Sequence, residues 1–249
     1  MIDDNLGVVA LPVDAKVAVV TGATGALGRV VAKALLDQGV RVVSTYRTTA
    51  GELDLESFLG GPKPGLTSVQ ADVTVEKSVE DLFAKVISDF GRVDMLLNIV
   101  GAYAGGEDVA HTKSADWDFM MSVNLKTAFL CSKHALPHMI KQNSGKIVNI
   151  SARPAVEKKF RARNSAYAVS KAGVAVLTET IAEEVKKFNI NVNAVMPSVI
   201  DTPDNRTGMP NAETGNWVKP EDICSVILFL LSDDSKVTSG ALVPVYGKA

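Results

Sequence analysis

Tyr167 and Lys171 stand four residues apart in the stretch Ser-Ala-Tyr-Ala-Val-Ser-Lys-Ala-Gly at positions 165–173. On an α-helix that spacing stacks both side chains on one face. A cation beside a phenol favours the phenolate and lowers a pKa that is about 10 in water. A phenol tuned in this way exchanges a proton with a substrate oxygen near neutral pH. A bare Y-x-x-x-K is more often an ordinary amphipathic helix with a half-buried Tyr and a solvated Lys. Here a second feature lies far upstream. Gly22, Thr24, Gly25, Ala26, Leu27 and Gly28 belong to the turn Thr-Gly-Ala-Thr-Gly-Ala-Leu-Gly, which follows an apolar run at 17–20. A helical pattern at 30–36 comes next and closes at Gly39. Strand, glycine turn and helix form the setting in which backbone approaches a pyrophosphate at a helix N-terminus.

Dinucleotide folds read the adenosine ribose at the end of the second strand, roughly 20 residues past the glycines. An acid there binds the 2′-hydroxyl of NAD. This chain places Tyr46 and Arg47 after its second apolar run at 41–45. The planar fork of Arg47 suits the oxygens of a 2′-phosphate. The expected cofactor is therefore NADP(H) rather than NAD(H). The bland alternative is a solvated loop arginine.

The elements that must position these residues alternate along the chain. Strands are expected at 66–70, 95–99, 145–150, 191–195 and 241–245. A helix is expected at 75–90, capped by Thr74 and stopped by Gly91. A longer helical stretch covers 114–142, with Pro137 expected to kink or break it. It contains Asn124 on an apolar face, where an amide needs partners. Asn124 is then a polar anchor or part of a water relay. The third helix of note spans 165–188, and its small residues Ala166, Ser170 and Gly173 suggest close approach by a partner subunit. Pro220 starts a last helix that ends near 231.

Residues 48–65 carry several Gly and Pro and read as a loop, with room for a short helix. The segment 151–164, with Lys158, Lys159, Arg161 and Arg163, reads as a solvated basic loop. The long loop at 196–217 has the length of a functional segment. Alternation of strands and helices implies a parallel sheet covered on both faces. No composition shift marks a second domain, so 1–249 is expected to be one domain, with an arm at 1–15 and a substrate loop at 197–219.

Net charge is −2 over 249 residues, which provides no footprint for nucleic acid. Cys131 and Cys224 have no metal spacing and read as reduced core thiols; no metal is expected. The acidic start lacks the basic and apolar regions of a signal peptide, and the apolar run at 226–231 is too short to cross a bilayer. A cytoplasmic protein with no membrane partner is the default.

Taken in order, these motifs resemble the short-chain dehydrogenase/reductase family over residues 16–247. The resemblance implies a Rossmann-type, doubly wound α/β fold of about seven parallel strands in three layers. The glycine turn is similar to the family's TGxxxGxG, except that Ala26 replaces the middle glycine and Gly25 sits one position earlier. Asp72 and Val73 match the pair that contacts adenine. Asn98-Ile-Val-Gly101, with Val100, resembles the NNAG segment along the cofactor. Asn124 matches the helix asparagine that holds water near the lysine. Tyr167 and Lys171 match the catalytic pair. Pro197, Ile200 and Thr202 lie in a segment like the one that bonds the nicotinamide carboxamide. The resemblance also implies a homodimer or homotetramer and a small-molecule substrate.

Ala152 stands where the family's catalytic serine is usual, and Ser151 is one residue off, which in a strand is the opposite face. Dihydropteridine reductases in the family lack that serine too. Their loops are similar to Gly101-Ala-Tyr-Ala-Gly-Gly106 and to the segment 200–217. The implied activity is hydride transfer to a carbonyl or quinonoid substrate with Tyr167 as general acid. The alternatives are dihydropteridine reduction proper, a non-catalytic NADP(H)-binding regulator and an NAD-linked dehydrogenase.

Overall fold

The computed structural model describes residues 15–248, so the expected arm at 1–15 lies almost wholly outside it. Chain order runs β1 (Val17–Thr21), α1 (Ala26–Asp37), β2 (Arg41–Tyr46), α2 (Thr49–Leu59), β3 (Leu66–Gln70), α3 (Glu76–Phe90) and β4 (Met95–Asn98). It continues with α4 (Ser114–Met120), a π-helical segment (Met121–Lys126), α5 (Thr127–Gln142), β5 (Gly145–Ile150), α6 (Arg153–Val156) and α7 (Ser165–Glu184). Last come β6 (Ile190–Pro197), α8 (Pro203–Gly208), α9 (Pro220–Leu231) and β7 (Leu242–Val245).

All seven strands form one sheet in the order β3-β2-β1-β4-β5-β6-β7, and every pair is parallel. Each residue of β1 is buried. A strand covered on both faces has no solvent side, which is why it reads as an unbroken apolar run. Its side chains still alternate. Ala18 and Val20 join Val31 and Leu35 of α1 with Ile223 and Ile227 of α9. Val17 and Val19 point the other way, to Phe83 of α3, Leu130 of α5 and Ile181 of α7. The strand order reverses between β1 and β4, and that switch point opens a crevice at the carboxyl ends of the strands.

Several expectations change. Residues 49–59 form an 11-residue helix rather than a loop, with Leu55 and Leu59 buried. Thr48 caps it by accepting from Gly51 N, and Gly60 ends it at φ 77°. Thr74 does not cap α3. Its hydroxyl donates to Asp72 Oδ1 at 2.6 Å, while Ser78 Oγ accepts from Asp72 N. Pro137 lies within α5 without ending it. It sits on the exposed side, where the carbonyl left unpaired can meet water. The small stripe of α7 is spent inside the chain: a Cβ on Gly173 would lie 2.7 Å from Leu125 Cδ2. Both cysteines are buried and free, and burial pushes the Cys131 thiol up to about 12.

Candidate active site

The β1–α1 turn depends on two glycines. Gly22 has φ 70°, and a Cβ there would meet Val100 N at 3.0 Å. A Cβ on Gly28 would sit 2.0 Å from Gly22 O, so the helix enters against bare backbone. Gly25 takes the N-cap position of α1 without a side-chain cap, and Ala26 begins the helix. The first turn holds no acid. This uncapped helix start, on a turn packed too closely for side chains at Gly22 and Gly28, fits a dinucleotide pyrophosphate. Arg29 braces the turn from outside by donating to Thr24 O at 3.1 Å. Thr21 ties it to β4, accepting from Ile99 N and donating to Leu97 O. Neither residue stands out in the sequence, because their partners are backbone atoms.

At the end of β2, Arg47 is exposed and its carbonyl accepts from Gln70 Nε2. Tyr46 faces Glu52 of α2; desolvation chiefly, then its hydrogen bond to that carboxylate, raise its phenol. Glu52 is thus an acid near the ribose position that the sequence hides in an apparent loop. Asp72 is held below the usual carboxylate range, first by Thr74, with Arg47 a lesser cause. Val73 is buried beside it. Asn98 is 5% exposed, and its amide donates to Asn149 Oδ1 at 2.8 Å and Ser132 Oγ at 3.2 Å. Its own Oδ1 is buried without a hydrogen-bond partner.

Asn124 sits in the π-helical segment, which rotates and widens the helix just where its amide must turn inward. It is a polar anchor. Oδ1 accepts from Ala102 N at 2.9 Å, and Nδ2 donates to Ala102 O and to Ser170 Oγ, both at 3.1 Å. A Cβ on Gly101 would lie 3.0 Å from Asn124 Oδ1 and 3.1 Å from Lys171 Nζ. Gly101, Asn124 and Lys171 therefore converge on one point.

Lys171 is 4% exposed, and its ammonium donates to Ile150 O at 2.8 Å. Burial pushes its pKa down to about 8. Burial, with Tyr103 alongside, pushes the Tyr167 phenol up to about 12. The expected depression of the phenol is not found, because desolvation favours the neutral form of each group. No described residue forms a hydrogen bond to the Tyr167 hydroxyl. Ser151 is not a substitute for the missing serine. It is 1% exposed and its hydroxyl donates to Lys171 O at 2.7 Å, inside the α7 packing. Ala152 lines the strand end instead.

The segment after β6 is ordered by its own contacts. Thr202 accepts from Asn205 N as the N-cap of α8, Asn205 Nδ2 donates to Ile200 O, and Arg206 pairs with Asp201. Ile200 also bridges to Val218, which returns the loop toward Pro197. In the basic loop at 151–164, Lys158, Lys159, Arg161 and Arg163 are exposed as expected, while side-chain contacts brace the loop. Arg153 packs over Phe160 at 4.2 Å and Tyr246 at 4.5 Å, and Arg161 donates to Pro154 O and Ala155 O. Among the described residues no group of three or more His, Cys, Asp or Glu gathers, and no helix is long and apolar enough to cross a membrane.

The family model for short chain dehydrogenases matches residues 16–212. A 3-oxoacyl-[acyl-carrier-protein] reductase of Thermotoga maritima is 32% identical, over 94% of this chain and 97% of its own length. A cis-4-hydroxycyclohexanecarboxylate dehydrogenase of Sinomonas cyclohexanicum is 34% identical, over 93% and 95%. Among solved structures, ElxO with NADP bound superposes with a TM-score of 0.87 at 27% identity, covering 94% of this chain and 98% of that one.

Proposed function

The chain belongs to the short-chain dehydrogenase family of oxidoreductases, and on that premise we propose that it moves a hydride between NADP(H) and a carbonyl or quinonoid substrate. The observation that carries this reading is the Tyr167 hydroxyl, unpartnered and one helical turn from Lys171, whose Nζ faces Gly101 beside the nucleotide turn. The cofactor supplies the hydride when bound. Gly22, Thr24, Gly25, Ala26, Leu27 and Gly28 hold its pyrophosphate, and Tyr46 and Arg47 its phosphorylated ribose. Asp72 and Val73 border the adenine. Asn98, Val100 and Gly101 run beside it toward Pro197, Ile200 and Thr202 at the nicotinamide end. NADP in the superposable ElxO structure supports the choice of cofactor, as does Arg47.

Tyr167 enters reduction protonated, since its pKa of about 12 lies far above neutrality. It gives that proton to the substrate oxygen or nitrogen as the hydride arrives. Lys171, held by Ile150 O and largely cationic at pH 7, stabilises the phenolate that forms. Asn124 is a positioning residue that fixes Ala102 and thereby Gly101. The segment 197–219 closes the substrate side and excludes water.

The test is NADPH oxidation, followed by absorbance, against quinonoid dihydropterin, 3-ketoacyl thioesters, quinones and simple ketones. Tyr167-dependent turnover of one class is expected. Equal turnover by Tyr167→Phe overturns the assignment.

The same reading includes a homodimer or homotetramer. The outer faces of α4, α5 and α7 expose Trp117, Phe119, Phe129, Val169 and Val176. Sedimentation velocity is expected to show a dimer or tetramer, and Val176→Lys with Phe129→Lys to shift it toward monomer.

A further inference from the structure

Tyr103 lies in the loop after β4 and packs edge-on against Tyr167, with ring centroids 5.1 Å apart at 77°. It is nevertheless 63% exposed. An aromatic ring left that open costs hydration free energy unless something covers it. It is also held rigidly. Its hydroxyl donates to Asn164 Oδ1 at 2.7 Å, and Asn164 Nδ2 donates to Phe160 O, which fixes the amide's orientation. A Cβ on Gly105 would fall 2.4 Å from Asn164 Oδ1 and 2.7 Å from the Tyr103 hydroxyl, so only glycine lets this contact close. Gly106 N donates to Arg163 O at 2.7 Å, and Asn124 grips both polar atoms of Ala102. The ring is thus held at its hydroxyl by Asn164, against Tyr167, and through the anchored backbone of its loop, with the rest of it open.

We propose that Tyr103 is a specificity-determining residue: a fixed aromatic wall on which a flat, conjugated substrate ring stacks, with its reducible C=O or C=N bond at the Tyr167 hydroxyl. This rests on Tyr167 as the proton donor. Ala152 provides no hydroxyl to orient a substrate oxygen, so orientation falls to surface contact. A planar ring gains from a rigid aromatic face what a flexible open chain does not. The Tyr103 hydroxyl spends its one proton on Asn164 and can only accept from a ligand. A ring carrying an N–H or O–H next to the reducible bond therefore suits the wall best.

The experiment compares wild type, Tyr103→Phe and Tyr103→Leu with NADPH, using menadione as the planar substrate and ethyl acetoacetate as the open-chain one. Calorimetric binding of menadione to the NADP⁺-saturated protein is measured in parallel. For Tyr103→Leu we expect menadione KM and Kd to rise about tenfold with kcat little changed, and open-chain kinetics to stay within about twofold. Tyr103→Phe, which keeps the ring, should retain menadione affinity within about threefold. Equal losses on both substrates, a Phe variant as weak as the Leu variant, or no menadione binding by the wild type overturns the proposal. Menadione binding that depends on the Tyr103 ring, without Tyr167-dependent turnover of any substrate, would leave the wall standing and sink the catalytic assignment instead.

Discussion

The two ends of the sheet are built on opposite principles. At the amino ends of the strands, polar groups are met. Asp94 accepts from Val17 N at 2.8 Å and from two nitrogens of Arg92 at 2.8 and 2.6 Å. Gln142 spans both Val93 N and Val93 O. Lys146 donates to Asn191 Oδ1, whose amide in turn donates to Lys236 O. A cavity of about 520 Å³ lies there, yet size does not make it the site, because these groups already have partners. At the carboxyl ends, no described residue bonds the Tyr167 hydroxyl, and the start of α1 has no side-chain cap. The amino end engages the polar groups named here; the carboxyl end engages Asn124, Lys171 and Ser151 but leaves the Tyr167 hydroxyl and the α1 start open.

The sharpest break of that contrast is a crossed pair of variants. Tyr167→Phe should cut turnover by about 10³-fold and leave the unfolding midpoint where it was. Asp94→Ala should do the reverse, costing about 2 kcal/mol in urea unfolding while the activity of the folded fraction is kept, because it leaves the buried Val17 N–H without its acceptor. If both variants lost stability alike, the two ends would not differ in kind.

Lys171 allows a pH test. Its folded pKa of about 8 lies below its ordinary 10.5, so the unfolded chain binds the extra proton between those values. Stability therefore rises with pH across that window, and the penalty, roughly 3 kcal/mol, is fully present below pH 8. Tyr167, raised from 10.0 to about 12, stays protonated when the unfolded chain does not, so stability falls again across that range. Urea midpoints of the cofactor-free protein at pH 7.5 and 9.5 should show the rise, and Lys171→Met should flatten it. The smallest effect belongs to Arg47. Arg47→Ala should weaken NADPH about tenfold and leave NADH unchanged. Equal loss for both would point to Glu52 and Tyr46 as what reads the ribose.

The strands and the glycine turn were legible because both encode locally: a strand buried on two faces is continuously apolar, and a tight turn needs Gly22 and Gly28. The placing of Tyr167 and Lys171 on one helix was legible because i, i+4 is a helical neighbour relation. Helix α2 was not, since Gly51 and Gly60 masked the Leu55–Leu59 spacing that signals its buried side. The turn of Asn124 was not, because no 3.6-residue period announces a π-helical segment. Ser151 was ambiguous from register alone, and only the packing of β5 against α7 showed its hydroxyl committed. Tyr103 and Asn164 are 61 residues apart, a contact made by tertiary docking that no local pattern carries.

The strand order has a consequence for how the chain is made. β1 lies inside the sheet between β2 and β4, but the neighbour on its second side arrives late: Val17 and Asp94 are 77 residues apart. At about 5–20 residues per second of synthesis, that edge stays open for roughly 4–15 s. During that interval a bare Val-Ala-Val-Val-Thr strand is available to any other nascent chain. A strand buried inside the finished fold is thus open on one edge during synthesis, and production of the protein should respond to chaperone supply more steeply than its finished stability suggests.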